Sequence, residues 1–116
     1  MKAQSYTVLM LMDATPSWLA LTRAERNIFF EKTIAPIFSK YNGSCQVRIF
    51  DSEYFHGSIS DFMIVETNDL RQYRFMIEEL RDTSVYSIPY FNIKDIITGV
   101  ENGFQEFEKS RSGEDS

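Results

Sequence analysis

Apolar positions along this chain follow two rhythms, and each change of rhythm marks a boundary between elements. Residues 6–12, YTVLMLM, are continuously apolar, the pattern of a strand covered on both faces. The connection DATPSWLAL follows. A helix opens at Thr22, where TRAE sets Glu25 three residues after a threonine, the spacing of a capping box. Ile28, Phe29, Ile34, Ile37, Phe38 and Tyr41 line one face of it. Pro36 is expected to kink this helix, and Asn42 with Gly43 to end it. Residues 45–50, CQVRIF, alternate, with Cys45, Val47 and Ile49 opposite Gln46 and Arg48, as in a half-exposed strand. The polar loop DSEYFHGS then leads into residues 59–66, a second strand apolar on both faces. A hairpin about that loop sets Arg48 opposite Asp61 as a cross-strand ion pair. Thr67 or Asn68 caps a second helix with the stripe Leu70, Tyr73, Met76, Ile77 and Leu80. SVYSIPYF reads as an edge strand, since Pro89 cannot donate to a ladder. Residues 92–107 read as a third helix, capped by Asn92, with Ile93, Ile96, Ile97, Val100, Phe104 and Phe107 on one face.

The order β-α-β-β-α-β-α selects a topology. Strands apolar on both faces belong in the middle of a sheet, and the alternating and proline-bearing strands at its edges. The order 4-1-3-2 satisfies both demands with right-handed crossovers. That is an α+β, ferredoxin-like βαββαβ sheet with an added C-terminal helix. One domain is expected over residues 1–109, with residues 110–116 as a flexible polar tail.

Two helices cover one face of such a sheet. The chain is 43% hydrophobic and 15% aromatic, so the other face would carry a large apolar patch. Either the third helix covers it or a second copy of the chain does. The expected solution is a homodimer packed sheet against sheet, a dimeric α/β barrel with the third helix at its edge and a pocket beside each sheet.

A net charge of −5 without a basic stripe argues against nucleic-acid binding. No apolar run approaches a membrane span, and the first residues lack a secretory pattern, so the expected location is cytoplasmic. With one cysteine, Cys45, no internal disulfide forms; a small buried hydrophobe is its expected role. No metal-ligand spacing or phosphate loop is present, and no cofactor is expected.

Candidate chemistry is sparse. His56 is the only histidine, and Arg48, Asp61 and His56 are the candidate acid–base or charge-stabilising groups. His56 also fits a solvated hairpin loop. Trp18, Asp13, Tyr54, Tyr86 and Tyr90 are the candidates for lining a pocket for a flat organic ligand. Trp18 could equally staple its loop to the first helix, and Asp13 could cap the turn of DATP.

The segments TPSWLALTRAER, RIFDSEYFHGSISDF, LRDT and YFNIKDIITGVENGF, in that order, resemble the darcynin proteins. The resemblance runs over residues 6–107 and implies a bacterial source and a stand-alone domain. Darcynins have no established activity, so the resemblance carries over no catalytic residue. It agrees with the dimeric α/β barrel, a fold group that includes cofactor-free monooxygenases, lactone isomerases and haem enzymes. Two functions stay open: a cofactor-independent enzyme acting on a small aromatic or quinone-like metabolite, or a non-catalytic module for ligand binding or dimeric assembly.

Overall fold

A computed structural model describes residues 4–113. Four strands, β1 (Tyr6–Ala14), β2 (Cys45–Asp51), β3 (Asp61–Thr67) and β4 (Phe91–Gly99), form an antiparallel sheet in the order β2-β3-β1-β4. This is the expected order seen from the opposite edge, and the α+β ferredoxin-like class holds. The helical segments are α1 (Pro16–Leu19), α2 (Arg23–Phe29), α3 (Ala35–Lys40), α4 (Leu70–Arg81), α5 (Ser84–Ser87) and α6 (Gly103–Ser112).

Local chemistry explains the helix boundaries. The capping box at α2 is complete: Thr22 N–H donates to Glu25 Oε1 at 2.8 Å, and Glu25 N–H donates to Thr22 Oγ1 at 3.1 Å. The kink expected at Pro36 takes the form of a wide π turn over Phe30–Ile34, where Ala35 N–H reaches back five residues to Phe30. Proline has no N–H, and its ring clashes with the carbonyl four residues earlier; one wider turn relieves both problems. Asp69, rather than Thr67 or Asn68, caps α4 by accepting from Arg71 N–H and Gln72 N–H, both at 3.1 Å. Thr67 is buried instead, and its hydroxyl accepts from Asp69 N–H at 3.0 Å.

The core lies between one sheet face and the helices. Val8, Met10, Cys45, Met63, Val65, Tyr41 and Met76 are buried together, with Met12, Val47, Ile93, Ile37, Phe38, Tyr73 and Ile77 packed around them. Met10, Met63 and Met76 fill the centre of this core. Lys40 Nζ lies 2.8 Å from Glu79, and the Tyr41 hydroxyl donates to the same carboxylate, tying the end of α3 to α4.

The fourth strand and third helix were misplaced by sequence. SVYSIPYF forms α5, a cis Ile88–Pro89 peptide and only the start of β4, whereas residues 92–99, expected to be helical, are strand. The cause is a β-bulge. Leu11 faces Asp95 but Met12 faces Ile93, so Lys94 is extra. One added residue shifts the alternation, making Ile93 and Ile96 three apart, as on a helix. The run of β-branched residues then decides for strand. Asn92, expected as a helix cap, is a strand residue paired with Asp13. The actual helix α6 begins ten residues later, after Asn102 turns the chain with φ of 52°. Residues 110–112, expected in the polar tail, continue α6; residues 114–116 of that tail lie outside the described residues.

The molecule is elongated, 57 × 32 × 19 Å, with a radius of gyration of 17.0 Å. A compact chain of this length would have about 13 Å. Toward the C-terminus Ile96, Ile97, Val100, Phe104 and Phe107 are all exposed.

Candidate functional site

Pairing partners in a sheet share a face, so the register assigns every strand residue to one side. Val8, Met10 and Met12 face the helices. Leu9 and Leu11 therefore face the other way, with Phe50, Phe62, Ile64 and Ile97 beside them. Phe50 and Phe62 stack with centroids 4.8 Å apart. Polar groups frame this apolar centre: Arg48 and Glu66 toward the β2 edge, Asp13 and Asp95 toward the β4 edge. What marks this face is uncovered hydrophobic surface on the side away from the core.

The ion pair expected between Arg48 and Asp61 does not form, because the register differs. Arg48 faces Ile64, and its guanidinium lies 3.4 Å from Glu66 Oε1 on the open face. Asp61 faces Asp51 and Met12, on the helix side. Asp61, Asp51 and Glu53 bring carboxylate oxygens within 4.8 Å of one another. Burial, with the neighbouring Asp51 and Glu53 carboxylates, pushes the Asp61 carboxyl up to about 6, against a hydrogen bond from Ser60 Oγ at 2.6 Å. This trio could hold a hard cation, which would reverse that shift. The sequence analysis did not bring Asp61 together with Asp51 and Glu53. The available signal was that Asp51 and Asp61 flank one loop at its two ends.

His56 sits in the exposed tip between β2 and β3. Its Nδ1 accepts from Ser58 N–H at 3.2 Å and Ile59 N–H at 3.0 Å, so the ring closes the loop upon itself. Tyr54 is 72% exposed at the same tip and pairs with Phe55. Tyr86 packs under Arg81, 5.6 Å from ring centroid to guanidinium, on the helix side. Burial pushes its hydroxyl up.

Trp18 and Tyr90 are brought together, 5.3 Å between ring centroids. Phe29 from α2 lies 5.9 Å from Trp18 and Phe91 lies 5.1 Å from it. Phe91 pairs with Ala14, so this aromatic group stands on the helix side of the sheet end. Thr15 fixes it. Its N–H donates to the Tyr90 carbonyl at 2.9 Å and its hydroxyl to the Pro89 carbonyl at 2.7 Å. The same hydroxyl oxygen caps α1 by accepting from Trp18 N–H. Asp13, read as a turn cap, is instead a β1 residue on the open face, and Thr15 is the cap.

The sheet and its two flanking helices have solved counterparts. A protein of Thermus thermophilus described as a novel heme-binding protein superposes with a TM-score of 0.78 over 97% of this chain, at 15% identity. Chlorite dismutase of Candidatus Nitrospira defluvii, in complex with imidazole, superposes with a TM-score of 0.73 over 88% of this chain, at 12% identity. The chain spans less than half of either neighbour, 46% and 42% of their lengths, and the likeness is one of fold. Sequence relatives are closer in size. Darcynin 1 of Acinetobacter baumannii is 39% identical over 90 residues, 78% of this chain and 99% of that protein. A darcynin homolog of Streptomyces avermitilis is 33% identical over 98 residues, 84% of this chain and 80% of that protein. The model of darcynin, a domain of unknown function, matches residues 2–111, and the chain belongs to the darcynin family.

Proposed function

We propose that this darcynin is a homodimeric binding module, its two open sheet faces packed together around a site for a small apolar or aromatic molecule. The observation that carries this reading is the continuous apolar face of Leu9, Leu11, Phe50, Phe62, Ile64 and Ile97 on a chain too small to leave it wet. The exposed Phe104 and Phe107 of α6 supply further surface for a second copy to cover.

Binding rather than catalysis is favoured by where the acid–base candidates lie. Asp61 belongs to the helix side and His56 to the hairpin tip. Of the proposed ligand-lining residues, Asp13 alone lies on the open face. The residues present do not fit a haem held by an imidazole. The sole histidine stands in the exposed hairpin tip with one ring nitrogen already bonded to two backbone amides. Among the described residues no helix is long and apolar enough to cross a membrane, and we place the protein in the cytoplasm.

A second reading rests on Asp61. A carboxyl near neutral affinity for its proton is suited to general acid–base work, on a substrate approaching the hairpin end of the sheet.

The test is a melting-temperature screen with small aromatic acids, phenols and quinones, monitored with Trp18 fluorescence. A ligand at a hundredfold excess over its Kd should raise Tm by roughly 10 °C without forming product. Trp18 emission should stay unchanged, because Trp18 packs on the far side of the sheet. Turnover lost in Asp61→Asn would favour the enzymatic reading, and a ligand that quenches Trp18 would move the site to the helix side.

A further inference from the structure

The charges around the open face carry information about how two copies meet. Arg48 is the single cation among the paired positions of that face, and it lies on the β2 edge strand. Arg48 stands one same-face row from Phe50, its guanidinium 5.8 Å from that ring centroid and 3.4 Å from Glu66 on the other side. The row across the sheet through Phe50 is Phe50, Phe62, Leu11 and Asp95. Asp95 closes that row at the opposite edge, on β4, with Asp13 on the neighbouring strand.

Two-fold packing of these faces has two simple forms. With the axis across the strands, β2 lies over the partner's β2 and β4 over its β4. Where that axis runs at the level of these residues, Arg48 approaches its own copy and Asp95 approaches its own, so like charges confront each other in a partly dry interface. With the axis along the strands, each β2 edge lies over the partner's β4 edge and the level along the strand is kept. Arg48 then lies one row from the level of the partner's Asp95, a span its long side chain covers. This second form turns every like-charge contact into an opposite-charge one.

Resting on the proposed dimer, we propose that the interface is set in this second form by a reciprocal ion pair between Arg48 of one protomer and Asp95 of its partner. The pair occurs twice by symmetry. Its partner inside the protomer, Glu66, is a loose one at 3.4 Å with both side chains more than half exposed, which leaves the guanidinium available to a better acceptor. The device selects orientation; the apolar centre supplies most of the attraction.

The test is charge exchange on the full chain, with dimer dissociation measured by sedimentation velocity over a dilution series. Arg48→Asp and Asp95→Arg each put like charges together twice, and each should raise the dissociation constant about tenfold or more. The double variant Arg48→Asp with Asp95→Arg restores opposite charges and should return within about threefold of the unmodified chain. All differences should shrink in ~1 M salt. Both positions are solvent-facing in the protomer, and unchanged circular dichroism verifies that the variants fold. A double variant no better than the worse single variant overturns the pairing. Single variants that dimerise normally, while Ile97→Asp does not, overturn the pairing and leave the dimer standing. An unmodified chain that never dimerises overturns both.

Discussion

Ile97→Asp separates the fold of one protomer from association between two. Ile97 pairs with Leu9 on the open face and is 51% exposed in the single chain. Full burial of an isoleucine side chain contributes about 1.5–3 kcal/mol, so covering the exposed half contributes roughly 0.8–1.5 kcal/mol per protomer. Symmetry doubles this to about 1.5–3 kcal/mol, a factor of roughly 10 to 150 in the dissociation constant. A carboxylate in the interface adds its own desolvation, so a loss of about a hundredfold or more is expected. Thr98→Asp is the control. Thr98 is the next residue on the same strand, pairs with Val8 on the helix-side face and is exposed. It carries the same penalty for aspartate in a strand but leaves the open face intact. Dilution calorimetry reads both constants. Equal dissociation constants for the two variants would refute the assignment of the interface to the open face. A loss of helical signal in Ile97→Asp alone would show that Ile97 serves the protomer's own core.

The Asp61 carboxyl binds its proton more tightly folded than unfolded, being raised from 3.8 to about 6. Its contribution to stability is therefore present below about pH 4 and is lost as pH rises toward 6. Discounting for partial exposure, Asp61→Asn should stabilise the chain by about 1–2 kcal/mol at pH 8, with the gain gone near pH 4, as read by urea unfolding. Met76 is fully buried, and Met76→Ala should destabilise by about 2–5 kcal/mol in the same assay. Thr22→Ala removes one half of the capping box and should cost about 1 kcal/mol without altering dimerisation.

Much of the fold was legible because strong local signals agreed with tertiary demands. The doubly apolar strands at residues 6–12 and 59–66 did lie centrally, and the TRAE box did start α2. The failure at β4 has a specific cause, a bulge at Lys94 that imitated helical spacing between Ile93 and Ile96. The edge assignment holds, although it rested on Pro89, which precedes β4 instead of lying in it. The candidate site was less legible. The open face was inferred from too few helices for one sheet, but its charged rim depends on register. Assuming Arg48 opposite Asp61 placed both on one face, whereas the true pairing of Asp51 with Asp61 puts them on opposite faces. A hairpin of uncertain loop length cannot be registered from alternation alone, since an odd slip exchanges the two faces. The contact with Phe29 that puts Trp18 on the helix side needed the path of α2 in space.

Sedimentation equilibrium of the unmodified chain at micromolar concentration tests the open-face dimer most directly. A homogeneous species at twice the 13.6 kDa chain mass, persisting on dilution and lost in Ile97→Asp, is the expected result. A chain that sediments at 13.6 kDa across the whole concentration range would contradict it.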